Sequence, residues 1–194
     1  MTVSTRERIL DVAMELFGQH GFKGTSITAI ETAAGLKAGA GGIYHHFPTK
    51  QALLEAGIAR HLGRLDALRD IRRILVGLGD LQAELTVLGR YALAELDHEA
   101  DLLRIVLGEA RRQPELVDAA VDALVAATYT TFAGWLHDRT GLDPERADAL
   151  AAVGLGALFS ARLLRLLLGR DPIAVDDELF IDTWVRMIRS QIDE

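Results

Sequence analysis

The stretch "AGLKAGAGGIYHHFPTK" (residues 34–50) carries four glycines in its first nine positions and then turns aromatic and basic. Glycine-rich turns commonly cradle phosphate, so the first question is whether those phosphates belong to a nucleotide or to a DNA backbone. A nucleotide cradle needs a strand that feeds the glycine loop and a helix N-terminus aimed at the phosphates. The residues before Gly35 read as helix instead. Thr25 and Ser26 offer caps, and Ile27, Ile30 and Ala34 recur at helical spacing. The spacing of the glycines fails as well: no G-x-x-x-x-G-K-[ST] occurs, and Gly39-Ala40-Gly41-Gly42 does not complete G-x-G-x-x-G.

Working outward, Ser4-Thr5-Arg6-Glu7 has the spacing of a capping box, and behind it Ile9, Val12, Ala13, Leu16 and Phe17 follow a helical period up to a stop at Gly21. Downstream, Pro48 breaks the chain and Thr49 caps a long helix that starts near Lys50. From there the pattern predicts helices over Lys50–Val76, Leu81–Asp97, Asp101–Gln113, Glu115–Thr140, Pro144–Leu168 and Asp177–Ile192. The breaks fall at Gly77 and Gly79, at Asp97-His98, at Pro114, over Gly141–Pro144 and over Gly169–Pro172. No alternating strand pattern interrupts them. The expected fold class is all-α, about nine helices in total, with a three-helix unit over residues 1–50 and a larger helical domain over residues 51–194. Two short helices joined by a turn, seated on an N-terminal helix, are what a helix-turn-helix requires: one helix braces across the DNA backbone and the second enters the major groove. Phe17, Ile43 and Phe47 are expected to form its small core.

The charge distribution agrees. Through Arg73 there are ten Lys and Arg against seven Asp and Glu, whereas the rest of the chain has eleven against twenty-one. A polyanion meets the local field rather than the net charge of −7. All three lysines, Lys23, Lys37 and Lys50, lie in the first fifty residues. There is no cysteine, and "MTVSTRERIL" carries neither the basic nor the apolar region of an export signal, so a cytoplasmic location is expected. "ALAAVGLGALFSARLLRLLL" (149–168) is long enough to span a bilayer. Arg162 and Arg165 would each cost about 2.5–3.5 kcal/mol near the membrane centre, so a buried helix and no membrane are expected. No H-E-x-x-H, EF-hand spacing, nucleophile–histidine pair or compelling carboxylate pair points to catalysis, a metal or a cofactor.

The stretch "ILDVAMELFGQHGFKGTSITAIETAAGL" followed by "GGIYHHFPTKQALL" resembles the N-terminal domain of the TetR family of transcriptional regulators. The resemblance covers roughly the first quarter of the chain. It implies an all-helical homodimer that reads a palindromic (inverted-repeat) operator on double-stranded DNA and is released by a small-molecule effector, most often as a repressor. It further implies that Tyr44 contacts phosphate with its ring on the sugar edge, and that Lys50 binds phosphate at the start of the following helix. Side-chain chemistry adds Ser26 and Thr28 as phosphate contacts, with Ser26 equally a simple cap. His46 is a further phosphate contact, and Lys37 a donor either to guanine or to phosphate. Ala40 and Gly41 expose little side chain, so readout there falls to backbone proximity and DNA shape. One departure stands out: "LKAGAGGIY" is two residues longer than the family's "VSKGTLY", which lengthens either the turn or the start of the second helix, an end expected to be loop-like in the free protein and to order on DNA.

In the remaining three quarters, two late helices are apolar almost all round. Leu155, Leu158, Phe159, Leu163, Phe180, Trp184 and Met187 are expected to pair two copies through a four-helix bundle. Tyr91, Arg104, Tyr129 and Trp135 are polar-tipped residues among Leu, Val and Ala, and suit a mainly apolar effector with one or two polar groups. The competing reading is a dimeric helical protein that binds a small molecule without specific DNA binding.

Overall fold

In a computed structural model of the chain, which describes residues 4–75, 80–111, 114–172 and 174–192, the elements run in the order α1 (Thr5–Gly24), α2 (Ile27–Ala33), a 3-10 turn (Gly42–His45), α3 (Lys50–Leu75), α4 (Leu81–His98), α5 (Ala100–Glu109), α6 (Pro114–Val121), a π-helical segment (Asp122–Ala126), α7 (Ala127–Thr140), α8 (Pro144–Leu168) and α9 (Asp177–Ser190). The described residues contain no strand, and the protein is all-α. The expected ends at Val76 and Gln113, and the breaks at Gly77 and Gly79, lie outside the described residues.

Helix starts follow the capping residues. The Ser4 capping box closes in both directions, Glu7 N–H to Ser4 Oγ at 3.2 Å and Ser4 N–H to Glu7 Oε2 at 3.0 Å. Thr49 caps α3, Asp143 precedes Pro144 at the head of α8, and Asp176 caps α9. Two expectations are corrected. The single helix Glu115–Thr140 is divided by the π-helical segment. The second short helix of the helix-turn-helix is replaced by turns and the single 3-10 turn at Gly42–His45, because Gly35, Gly39 and Gly41 all sit at φ near +70°, a region closed to an α-helix of L-residues.

The chain packs as two compact units: Met1–Ala67 with Glu99–Val121, and Leu68–His98 with Asp122–Glu194. In the first, α1 contributes Ile9, Leu10, Ala13 and Phe17 to a core shared with Ile30 of α2, with Ile43 and Phe47, and with Leu53 and Leu54 of α3. Phe17, Ile43 and Phe47 are thus buried, as expected. Helix α5 lies along α1 in this unit, close enough that a Cβ on Gly18 would stand 3.3 Å from the Asp101 backbone. Arg60 of α3 pairs with Asp11 of α1 at 2.8 Å. The buried His61 of α3 pairs with the buried Glu99 at the head of α5.

The second unit is organised around Trp184. With Ile181, Val185 and Ile188 it forms the buried face of α9, packed on Leu85 and Leu93 of α4, Phe132 and Leu136 of α7, and Leu150, Leu155 and Leu158 of α8. Its indole N–H donates to the Gly154 carbonyl at 2.8 Å. Leu155, Leu158 and Trp184 are therefore corrected from interface to interior: each is under a tenth exposed within one protomer. Periodicity counted their apolar faces but not the number of helices available inside the chain to cover them. Phe159, Leu163, Phe180 and Met187 are half-buried.

Helix α8 is long and apolar enough to cross a membrane by length and composition. Its inner face, Arg162 included, is committed to this unit. The buried Arg162 guanidinium holds Asp97 of α4 at 2.9 Å and both carboxylate oxygens of Asp177 at the head of α9. Hydrogen bonding from Arg162 holds the Asp177 carboxyl below its ordinary value, against some desolvation. A group whose folded pKa is depressed adds stability above its unfolded pKa and loses that contribution as pH falls through the folded one. Asp177→Asn is accordingly expected to lower the urea midpoint at neutral pH, and the gap to wild type should close on acidification. A gap that persists unchanged in acid would rule the charge out as its source.

Between α8 and α9 lies an open cleft of about 280 Å³ lined by Leu142, Arg146, Ala149, Leu150, Val153, Met187 and Gln191. None of Tyr91, Arg104, Tyr129 and Trp135 lines it. Arg104 belongs to the first unit, where it pairs with Asp101 at 2.6 Å, and the other three belong to the second. In the second unit the Tyr91 hydroxyl donates to Glu95 at 3.2 Å, Tyr129 stacks on Phe159, and Trp135 stacks on Phe132.

Candidate nucleic-acid interface

The end of the first unit that carries α2, the glycine turn and the head of α3 is built from local rules. Ser26 accepts the Ala29 N–H at 3.1 Å and so acts as the α2 cap. It remains exposed, as does Thr28 in the first turn of the helix. The Gly35 N–H donates to the Thr32 carbonyl and Leu36 N–H to the Glu31 carbonyl, which ends α2. Arg8 of α1 reaches across to the Ala34 carbonyl through Nε at 2.8 Å. Lys37 and Ala40 stand exposed on the turn, whose span is closed by Ala40 N–H to Lys37 carbonyl at 3.2 Å. Gly41 then starts the 3-10 turn, accepting from Tyr44 N–H at 3.0 Å.

That short turn sorts its residues by face. Ile43 and Phe47 point into the core, while Tyr44, His45 and His46 are exposed, Tyr44 by 52%. An aromatic ring half in water on an otherwise ordered turn has no packing reason to be there, and a tyrosine suits a wet, anionic neighbour with an apolar edge. The Arg6 guanidinium covers the Phe47 ring at 4.8 Å, placing one more cation at this end.

Lys50 differs from the expectation in one respect. Its ammonium lies 4.5 Å from the centre of the Phe22 ring and 5.9 Å from that of Phe17. Burial lowers its pKa below the ordinary lysine value, partly offset by the negative charge of Glu109. Glu109, at the end of α5, is itself buried and accepts the Phe22 N–H at 3.1 Å. Phe22 needs that acceptor because α1 breaks at Gly21, where φ is 73° and ψ is 165°. Thr25 braces the same corner with its hydroxyl 2.9 Å from the Gly21 carbonyl and 3.0 Å from that of Leu16.

Sequence reasoning missed Glu31, and grouped Glu109 with the polar-tipped residues of the expected effector chamber rather than with this corner. Nothing in the sequence announces a contact across 87 positions, so Glu109 carried no signal. Glu31 carried one: it falls on the same helical face as Ile27, Ile30 and Ala34, so an acidic residue there sits where the core should be.

A family model described as "Bacterial regulatory proteins, tetR family" matches residues 9–56, the span that holds α1, α2, the glycine turn and the head of α3. Over 92% of this chain and 92% of its own length, the HTH-type transcriptional regulator YvkB of Bacillus subtilis, itself uncharacterized, is 25% identical. Residues 9–56 of the chain thus match the TetR family. The regulator UidR of Escherichia coli is 32% identical over 58% of this chain and 55% of its own. The crystal structure of a TetR transcriptional regulator from Legionella pneumophila shares the fold at a TM-score of 0.71, over 99% of this chain and all of that one, at 23% identity. The relatives it matches are described as HTH-type transcriptional regulators. Members of the family bind DNA, typically as dimers.

Proposed function

We propose that this protein is a cytoplasmic, effector-responsive repressor of the TetR family that binds an inverted-repeat operator as a homodimer. In this reading residues 1–50 are the DNA-binding domain and residues 51–194 the effector-binding and dimerisation domain. The observation that carries it is the half-exposed Tyr44 ring on the ordered 3-10 turn that follows α2, which suits phosphate and sugar at a duplex edge. Ser26, Thr28, Tyr44, His46 and Lys50 are assigned to phosphate, Lys50 by swinging off the Phe22 face, which forgoes a cation–π contact of about 0.5–1 kcal/mol. Lys37, Ala40 and Gly41 are assigned to the groove.

Dimerisation is supported by the apolar surface that α8 and α9 leave uncovered within one chain. Val153, Leu167 and Leu179 are each more than half exposed, beside the half-buried Phe159, Leu163, Phe180 and Met187. A self-complementary face of this kind suits a two-fold pairing, which spaces the two reading heads for an inverted repeat. A largely apolar effector is supported by Tyr91, Tyr129 and Trp135 among the aliphatic residues of the second unit, the Trp135 indole N–H being buried without a hydrogen-bond partner among the described residues. The effector acts only through its differential affinity for the DNA-competent state.

The test is a salt titration of duplex binding. Lys50→Ala should weaken binding to every sequence and reduce the salt slope by about one, whereas Tyr44→Ala should weaken binding with the slope intact, since no cation is removed. Equal binding by wild type and Lys50→Ala at all salt concentrations would remove Lys50 from the interface. A wild-type protein that retards no duplex would leave the effector-binding dimer as the reading, and a monomer in sedimentation at micromolar concentration would end the dimer assignment.

A further inference from the structure

Glu31 is completely inaccessible to solvent. A carboxylate so placed costs several kcal/mol unless its oxygens are satisfied, and among the described residues its partners are backbone amides rather than a cation. One oxygen accepts the Gly39 N–H at 2.7 Å and the other the Ile43 N–H at 3.5 Å. Its own carbonyl accepts the Leu36 N–H at 2.8 Å. One residue of the bracing helix therefore holds the glycine turn near its start, its middle and its end.

The turn has little else to define it. From Lys37 to Gly42 the side chains are one lysine, two alanines and three glycines. The backbone bonds within the segment are Ala40 to Lys37 and Tyr44 to Gly41. Gly39 and Gly41 both adopt φ of 71°, so the segment lacks the internal ladder by which an α-helix would fix the direction of its own side chains. Gly39 and Ile43 donate to opposite oxygens of one carboxylate, which fixes both the distance and the angle between the two ends of the loop. The Gly39 bond, at 2.7 Å, is the short one of the pair, and the Ile43 bond, at 3.5 Å, is the long one.

We propose that Glu31 is a positioning residue for sequence readout: its carboxylate supplies the rigidity that a recognition helix would otherwise supply, and so sets where Lys37, Ala40 and the Gly41 backbone enter the groove. This rests on the reading of the turn as the DNA-facing element. Phosphate contacts through Ser26 and Thr28, at the head of α2, do not pass through the carboxylate. Loss of Glu31 is therefore expected to act on discrimination between sequences rather than on attraction to the polyanion.

The experiment uses the full chain and a duplex that the wild-type protein selects from a randomised pool, compared with a scrambled duplex of equal composition. Three proteins are measured: wild type, Glu31→Gln, which keeps one acceptor oxygen, and Glu31→Ala. The expected result is that the ratio of selected to scrambled affinity falls at least tenfold in Glu31→Ala and by less in Glu31→Gln, while the salt slope stays at its wild-type value. In the absence of DNA, hydrogen-exchange protection of the Gly39 and Ile43 amides should fall in the same order. If Glu31→Ala does not fold, Glu31→Gln and its two amides decide the matter. Ratios equal in all three proteins, or a parallel loss on both duplexes with the ratio preserved, would overturn the positioning role and leave the DNA reading standing. A wild-type protein that selects no duplex would overturn that reading and this inference with it.

Discussion

Trp184→Ala is expected to lower the unfolding free energy by about 3–5 kcal/mol, the range for truncating a buried aromatic residue, and to lower the melting temperature by roughly 10 °C. The indole is 3% exposed and sits where α4, α7, α8 and α9 meet. Two glycines let the helices approach it. A Cβ on Gly154 would stand 2.8 Å from Ile188 Cδ1, and one on Gly89 would stand 2.9 Å from Ile181 Cδ1 and 3.3 Å from the indole itself. The neighbours are thus packed to their limit around a large flat side chain, and their backbones cannot collapse into the space it leaves. Phe132, stacked on Trp184 with centroids 6.1 Å apart, would lose one wall of its site. Trp184→Phe is the control: it retains most of the apolar contact and forfeits the hydrogen bond to Gly154, about 0.5–1.5 kcal/mol. Thermal and urea unfolding of the three proteins check this. An alanine variant as stable as the phenylalanine one would show that the helices close over the gap.

The second expected result concerns the corner at Gly21. Its φ of 73° and ψ of 165° fall in a region essentially confined to glycine, and an alanine held there costs roughly 1–3 kcal/mol. The added Cβ would also come 3.4 Å from Glu109 Oε1, the atom that accepts the Phe22 N–H. Gly21→Ala should therefore destabilise the protein and disturb Phe22, on whose ring the Lys50 ammonium rests. Weaker duplex binding at a temperature where the variant is still folded is the second readout. Gly24→Ala, three residues on, lacks both features: its φ is not positive, and its Cβ would meet only His20 Cβ at 3.7 Å. That variant should be neutral or stabilised by up to about 1 kcal/mol. Identical behaviour of the two variants would mean that the corner carries no strain worth relieving.

Local rules were legible in the sequence wherever one residue type has one strong use. The Ser4 capping box, the Asp143-Pro144 start of α8 and the Leu168 end before Gly169 were all readable because cap, proline and glycine chemistry acts within four residues. The helical period gave the core positions of α1 for the same reason. What spans the chain was not readable. Glu109 on the Gly21 corner and Arg162 on Asp97 are fixed by packing between distant segments, which periodicity does not encode. Trp184, Leu155 and Leu158 failed differently: an apolar helix face looks the same whether another helix of the same chain or of a second copy covers it. The glycine turn lay between these cases. Its length and composition argued against a regular helix, but the residue that holds it stands on the preceding element.

On the proposed reading of the glycine turn as the DNA-contacting loop, a backbone that sits where only glycine is comfortable leaves natural selection few letters with which to rewrite it. At Gly39 and Gly41 any other residue would strain the main chain, so a lineage tracking a drifting target site can vary Lys37, Ala38 and Ala40 and little more. New preferences would arise faster by duplication and divergence at those three positions than by wholesale replacement of the loop, and paralogues that share the pair of glycines should cluster around closely related target sites.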